Sequence, residues 1–120
     1  MAAVTAPEIV RLKRDAQMPN SALPVLVYRQ PLSGDDLEKR IRKMFEANHW
    51  HGIWRNGIYD YHHFHSNAHE VLGIAHGTVE VKLGGDSGET LTLAAGDVVV
   101  LPAGTGHCRL SDGRGLVVMG

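Results

Sequence analysis

Residues 57–77 read GIYDYHHFHSNAHEVLGIAHG, and this stretch decides how the whole chain is interpreted. His63 and His65 stand two positions apart in the alternating segment Tyr59–His65, which predicts a β-strand with both imidazoles on one face. Glu70 comes after four intervening residues, at the start of the next apolar segment. If a tight hairpin joins the two segments, the carboxylate of Glu70 returns to the point where the imidazoles converge.

His107 is distant in sequence but completes the same set of donor groups. It follows the turn-rich segment Pro102-Ala103-Gly104-Thr105-Gly106, which can aim a strand-opening side chain inward. Three imidazole nitrogens and one carboxylate oxygen suit Fe(II), Mn(II), Ni(II), Co(II), Cu(II) or Zn(II), and they match Ca(II) poorly. In six-coordination, four protein ligands leave two positions open.

Composition indicates one neutral, cysteine-poor domain. The chain has 120 residues, 12 Lys and Arg against 13 Asp and Glu, and therefore a formal net charge of −1, which does not favour a nucleic-acid partner. The single cysteine, Cys108, excludes an intramolecular disulfide and a cysteine-based zinc site and favours a reducing compartment. Because no signal peptide and no apolar run of about 20 residues is found, we expect a soluble, cytoplasmic protein without a membrane partner.

The chain is predicted to divide into an N-terminal arm and one larger domain. Residues 1–22 form the arm, with one short strand, and residues 23–120 form the domain. A short amphipathic helix is predicted at about residues 34–47. Its apolar positions recur at helical spacing, namely Leu37, Ile41, Met44 and Phe45. Ser33 with Asp36 resembles a capping box, and Glu38 is placed to pair with Arg42 one turn later.

From residue 57 onward, short apolar segments alternate with glycine-containing and polar turns. An all-β chain of this kind with one short helix predicts an antiparallel jelly roll or a closed barrel. The predicted strands in this part of the chain are Tyr59–His65, Val71–Ala75, Val79–Leu83, Thr90–Leu93, Val98–Leu101 and Gly115–Met119.

Two spaced motifs resemble those of the cupin superfamily. The first runs Gly57, five residues, His63, one residue, His65, four residues, Glu70, six residues, Gly77. The second runs Gly96, five residues, Pro102, one residue, Gly104, two residues, His107, three residues and then Ser111, where the family usually has Asn. Together they cover residues 57–111. The aromatic run Trp50, Trp54, Tyr59, Tyr61 is similar to that of small single-domain bacterial cupins with no assigned activity.

The resemblance implies a cupin-type double-stranded β-helix, a jelly-roll barrel, over residues 23–120. It further implies that a divalent metal is bound inside the barrel by His63, His65, Glu70 and His107. Ser111 in place of Asn affects only a supporting polar contact. Relatives of this kind continue beyond the last strand, so a tail that covers the pocket is expected to be missing after Gly120.

Several other polar and aromatic residues have two alternative roles. Tyr59 and Tyr61 share the parity of His63, so they are expected to fill the barrel core, the alternative being that a phenol such as that of Tyr61 reaches the metal-bound ligand. Arg109 shares the parity of His107 and either holds an anionic group in the cavity or lies at a solvated strand end. The remaining expectations are structural: His62 and His69 face away from the metal, His76 faces solvent, His49 and His51 belong to an aromatic lid or interface, and Cys108 is a small buried side chain.

The sequence therefore supports a metal-dependent enzyme that acts on a small oxygen-bearing or anionic metabolite, by dioxygenase, oxidase or isomerase chemistry. In that interpretation Tyr61 or a metal-bound water handles protons and Arg109 orients an anionic group. The alternatives are a non-catalytic module that binds a metal and a small ligand, and a metal-free jelly roll. A homodimer is expected from the arm and the exposed sheet edges. The metal, whether Fe, Mn, Ni or Zn, and the substrate stay open.

Overall fold

The computed structural model describes residues 6–14 and 18–120. Within these residues the chain forms nine strands and one α-helix. In chain order they are β1 (Glu8–Val10), β2 (Val25–Tyr28), α1 (Leu37–Ala47), β3 (Arg55–Asn56), β4 (Glu70–His76), β5 (Thr78–Leu83), β6 (Glu89–Ala94), β7 (Val98–Leu101), β8 (His107–Arg109) and β9 (Val117–Met119).

The strands form two antiparallel sheets, with the order β1-β2-β7-β4-β9-β3 in the larger and β6-β5-β8 in the smaller. Apolar side chains from both sheets meet between them, for example Leu72 from β4 and Val81 from β5. Successive residues of β4 alternate between this core and the outer face, where Val71 and Ala75 pack under the helix. The predicted all-β jelly-roll fold with one helix is confirmed.

Helix α1 lies on the outer face of the larger sheet. Ile41 and Phe45 are its buried residues, and they pack on β4 and β9. Gly73 makes this close approach available, since a Cβ at that position would lie 2.6 Å from Cγ2 of Ile41. The helix has 11 residues, and no helix in residues 6–14 and 18–120 is long and apolar enough to cross a membrane.

The start of α1 differs from the predicted capping box. Asp36 occupies the N-cap position with a left-handed backbone (φ 57°), and no side chain of the described residues caps the first turn. An N-cap side chain reaches the free N–H groups from an extended backbone, so the left-handed conformation of Asp36 removes that geometry. Glu38 pairs with Arg55 of β3 and His76 of β4 rather than with Arg42.

The strand predicted at Tyr59–His65 is wrong. This segment belongs to the connection between β3 and β4, and within residues 6–14 and 18–120 its β-pairing is reduced to one bridge, between His63 and His107. Strand β8 has only three residues, so the partner that it offers on this side is short. Further backbone bonds run from the N–H of Arg109 to the carbonyl of Tyr59 at 2.8 Å and from the N–H of Gly104 to the carbonyl of His65 at 2.7 Å.

The N-terminal arm contributes the one strand that was predicted. Ile9 of β1 pairs with Leu26 of β2 and so extends the larger sheet by one edge strand. Residues 1–5 and 15–17 of the predicted arm lie outside the described residues. The boundary between an arm of residues 1–22 and a domain of residues 23–120 stays a prediction.

Candidate metal centre

The four candidate ligands meet at one end of the space between the sheets. Glu70 opens β4 with the same parity as the core residue Leu72, so its carboxylate faces inward from the larger sheet. His107 opens β8 opposite Leu83, another core residue, and faces inward from the smaller sheet. His63 and His65 reach the same point from the connection between β3 and β4.

The donor atoms are close enough for one ion. One ring nitrogen from each of His63, His65 and His107 lies within 4.8 Å of the other two. The Glu70 carboxylate joins this group, with Oε2 2.8 Å from Nε2 of His65 and Oε1 3.3 Å from Nε2 of His107. The structure therefore brings together all four predicted ligands.

Backbone carbonyls orient two of the imidazoles. Nδ1 of His107 lies 3.1 Å from the carbonyl of Thr105, and Nδ1 of His63 lies 3.3 Å from the carbonyl of Tyr61. In a neutral imidazole, donation from Nδ1–H to a carbonyl leaves the lone pair on Nε2, the tautomer that binds metals. The contacts thus prepare both rings to ligate through Nε2.

His107 supplies the sharpest indication that an ion belongs here. Its side chain is 4% exposed, and Nε2 makes no hydrogen bond within the described residues. Oε1 of Glu70 lies 3.3 Å from this nitrogen without hydrogen-bond geometry. A buried polar atom without a partner is costly, and a metal ion bound between the four side chains would satisfy it. The residues present therefore fit a divalent transition metal.

The electrostatics of the centre match this donor set. Burial, and then the neighbouring charge of His107, lowers the pKa of His63 and favours the neutral ring that ligation requires. Burial alone would raise the pKa of Glu70, but contact with His107 and the charges of His65 and His63 outweigh it and lower the pKa. The folded chain thus holds Glu70 as a carboxylate.

A cavity of about 350 Å³ opens directly onto the four ligands. Its apolar wall consists of Trp54, Ile58 and Leu72. The rest of the lining is formed by Asn56, Gly57, Tyr59 and the four candidate ligands. Among the described residues, none that lines the cavity is a lysine or an arginine. A cavity of this volume admits a small molecule rather than a polymer.

Comparison with known proteins agrees with this geometry. The family model described as Cupin matches residues 55–120, which include all four candidate ligands. The chain is a cupin. The Bacillus subtilis (strain 168) protein named "Uncharacterized protein YjlB" is 36% identical to it over 107 residues, or 88% of this chain. The cupin described above spans 63% of the length of that relative.

The two tyrosines of this cupin do not fill its core, contrary to expectation. Tyr59 and Tyr61 are each 56% exposed, and their rings stack at a centroid distance of 5.0 Å. Side chains alternate between two faces only in a regular strand, which this segment does not form. Tyr59 lines the cavity, and its ring is edge-on to that of His63 at a centroid distance of 4.9 Å. Tyr61 stacks on the ring of Tyr59 and does not line the cavity. A catalytic role for Tyr61 stays a prediction.

Arg109 faces inward, but its guanidinium is directed at the loop that carries the histidines. Nε donates to the carbonyl of Ile58 at 3.1 Å, Nη1 donates to the carbonyl of Ser111, and Nη2 lies 3.9 Å from Asp60. Arg109 does not line the cavity. These contacts attach residues 58–60 to β8, and the predicted contact with an anionic ligand stays untested.

The other singled-out side chains lie around the centre. Nε2 of His62 lies 2.9 Å from Asp86, away from the ligands, and Nδ1 of His69 accepts a hydrogen bond from the backbone of Ala103. Oγ of Ser111, the residue that stands where the family usually has Asn, accepts a hydrogen bond from the N–H of Glu80 at 3.0 Å. His76 is exposed as predicted, and it pairs with Glu38. His49 and His51 are both exposed. Cys108 is buried, and this burial raises the pKa of its thiol.

The sequence interpretation missed the contribution of Asn20. Its Nδ2 donates to the carbonyls of Lys13 and Gly84 at 2.7 and 3.0 Å, and its Oδ1 accepts from the N–H of Gly106 at 3.0 Å. Gly106 directly precedes the candidate ligand His107. The arm therefore braces the turn that positions a ligand. A turn-prone Pro19-Asn20-Ser21 was the only signal in the sequence, and it carried no information about the distant partner.

Proposed function

We propose that this cupin binds one divalent transition metal through His63, His65, Glu70 and His107 and acts on a small oxygen-bearing molecule. The observation that carries the proposal is the buried Nε2 of His107, which has no hydrogen-bond partner in the described chain and points to where the other three donors converge. A carboxylate between imidazoles, two of them oriented by backbone carbonyls, is the donor chemistry of Fe(II), Mn(II), Ni(II) and Zn(II) sites.

A metal held by four protein groups leaves two of six positions for a ligand and supplies Lewis-acid or redox chemistry to it. Dioxygenase, oxidase and isomerase activities are the proposed reaction types. In each, His63, His65, Glu70 and His107 would hold the ion. The wall of Trp54, Ile58 and Leu72 would exclude water from the ligand. Tyr61 is proposed to handle protons. Arg109, which does not line the cavity, is proposed to hold the loop at Ile58 rather than a bound anion.

The test is metal content, followed by activity. Protein purified without added ions is analysed for Fe, Mn, Ni and Zn, and affinities are measured for His65→Ala and Glu70→Gln. The side chain of His65 is half exposed, so its removal leaves no core cavity. His51→Ala is the matched control, since His51 is exposed and lies outside the centre. We expect near-stoichiometric metal in the parent and control and a large loss of affinity in the other two. Equal binding by all four proteins would refute the ligand set.

A non-catalytic module that binds a metal and a small ligand is the alternative. Oxygen consumption and a substrate library, applied to each metal-loaded form, separate the two proposals. Turnover with one metal supports the enzyme. Full metal occupancy without turnover in any form favours the binding module, and absence of metal favours a metal-free jelly roll.

We further propose a cytoplasmic homodimer. The lone, buried Cys108 suits a reducing compartment, and the outer edges of β1, β3 and β6 are free for strand pairing within the described residues. Light scattering at high concentration tests the assembly, and a uniform monomer would exclude the dimer.

A further inference from the structure

The cavity offers a ligand little positive charge beyond that of the metal. In the part of the chain that the structure describes, no lysine or arginine belongs to its lining. The nearest inward-facing cation, Arg109, is held by the carbonyls of Ile58 and Ser111. Arg55, next to the lining residue Asn56 in sequence, pairs with Glu38 of the helix. Neither guanidinium is placed as a clamp for a carboxylate or phosphate.

The charge balance at the ligands then limits the charge of the occupant. A divalent ion with the single carboxylate of Glu70 and neutral imidazoles carries a net charge of +1. A singly charged chelating ligand makes the complex neutral. A doubly charged ligand leaves one negative charge beside a wall of low polarity, and partly buried charges without partners are unfavourable.

The apolar wall defines the rest of the ligand. Ile58 and Leu72 are buried, whereas Trp54, which also lines the cavity, is 38% exposed. Trp54 is fixed there because its backbone N–H and C=O both bond to Gly120, at 2.7 and 3.0 Å. An uncharged ring or alkyl group fits this wall, with the amide of Asn56 as a neutral hydrogen-bonding group beside it.

We infer that the cavity selects a singly charged oxygen chelator with an uncharged apolar body, such as an enolate, phenolate or hydroxamate, over dicarboxylates and phosphate esters. The inference rests on the proposed function, because the chelating oxygens require the metal. It narrows the substrate class to molecules that carry their charge at the chelating end and a flat or branched apolar group at the other.

The first experiment isolates the apolar body. Calorimetry on zinc-loaded protein compares acetohydroxamate with benzohydroxamate, which share one chelating group, so the preference of the metal itself cancels. We expect benzohydroxamate to bind about tenfold more tightly, and Trp54→Ser to remove most of that difference. Trp50→Phe is the matched control and also leaves Trp54 as the only tryptophan, whose fluorescence should change with benzohydroxamate. Equal affinity for the two hydroxamates in the parent protein would overturn the inference.

The second experiment isolates the charge. The affinity ratio of acetohydroxamate to malonate is measured in the parent and in Asn56→Lys, and zinc content is determined again after titration. A lysine in the lining should shift the ratio toward malonate by about tenfold, since the added charge acts at short range on the second carboxylate. Asn48→Lys, at the exposed end of the helix, makes the same charge change and should leave the ratio unaltered.

The outcomes separate this inference from the proposed function. Protein that takes up zinc but binds malonate as well as the hydroxamate, with no response to Asn56→Lys, overturns the ligand class and leaves the metal centre standing. Protein that takes up no metal overturns both.

Discussion

Replacement of Asn20 by Gly should weaken metal binding although Asn20 is not a ligand. Its amide joins the N-terminal arm to the carbonyl of Gly84 and the N–H of Gly106, immediately before His107. Glycine is the appropriate substitution because Asn20 has a left-handed backbone (φ 52°), which glycine adopts without strain. Asn20→Gly therefore removes the hydrogen bonds and leaves the backbone conformation accessible.

The magnitude follows from three lost hydrogen bonds. The bonds to Gly84 and Gly106 are partly buried and each contribute about 1 kcal/mol, whereas the exposed bond to Lys13 contributes less. With the greater backbone entropy of an unfolded glycine, the free energy of unfolding should fall by about 2–3 kcal/mol. Metal affinity should fall by about tenfold, the lower end of the range for groups that orient a metal ligand.

The assay combines urea unfolding of the metal-free protein with competition against a chromophoric chelator. Ile41→Val is the control. Ile41 is a fully buried residue of helix α1, which packs on the outer face of the larger sheet, away from the metal centre. Removal of one methyl group there should lower the free energy of unfolding by about 1 kcal/mol. We expect this variant to lose stability but keep the parent metal affinity. If Asn20→Gly binds metal as tightly as the parent, or if Ile41→Val loses affinity equally, the proposed bracing of His107 is refuted.

Three other predictions concern packing and pH. Gly73→Ala should lower the free energy of unfolding by about 1–3 kcal/mol, because the new Cβ would lie 2.6 Å from Cγ2 of Ile41. Gly57→Ala is the control in the same unfolding assay, since nothing lies within 4 Å of a Cβ at that position. Equal destabilisation by the two substitutions would contradict the close packing at Gly73. The hydrogen bond from Arg55, together with contact with His76, lowers the pKa of Glu38 in the folded state, so its stabilisation is complete above the ordinary Glu pKa of about 4.3 and is lost as pH falls. The stability difference between the parent and Glu38→Gln, measured by unfolding across this range, should therefore shrink at acidic pH, and a constant difference would count against the ion pair. Bound zinc should be released as pH falls below about 6.5, since each imidazole must be neutral to ligate. A zinc-release titration measures this, and retention of zinc far below that pH would contradict the histidine ligands.

Local patterns in the sequence were reliable where one interaction dominates. Ile41 and Phe45 were predicted to be the buried face of the helix, and they are, because helical spacing alone places them together. They failed where a tertiary contact replaces the interaction that local spacing predicts. Glu38 lies one turn from Arg42, yet it pairs with Arg55 and His76, which the sheet brings to the helix from other parts of the chain.

The Tyr59–His65 segment shows the same limit. Alternation predicted a strand, and parity then placed both tyrosines in the core. A strand needs a partner along its length, and the short β8 provides one bridge, so the segment forms a loop with exposed, stacked rings. His63 and His65 still reach the centre, because the bridge to His107 and the bonds from Arg109 hold the loop in place.

The sequence by itself determined the fold family and the set of four donor residues, because two motifs with long, fixed spacings encode both the turns of the barrel and the ligands between them. Only the tertiary structure decided how the centre is supported and what surrounds it. The brace from Asn20 to Gly106, the withdrawal of Arg109 from the cavity and the wall at Trp54 all depend on contacts between residues far apart in the chain. Such contacts follow from the packing of whole elements, and no local pattern of residue types specifies them.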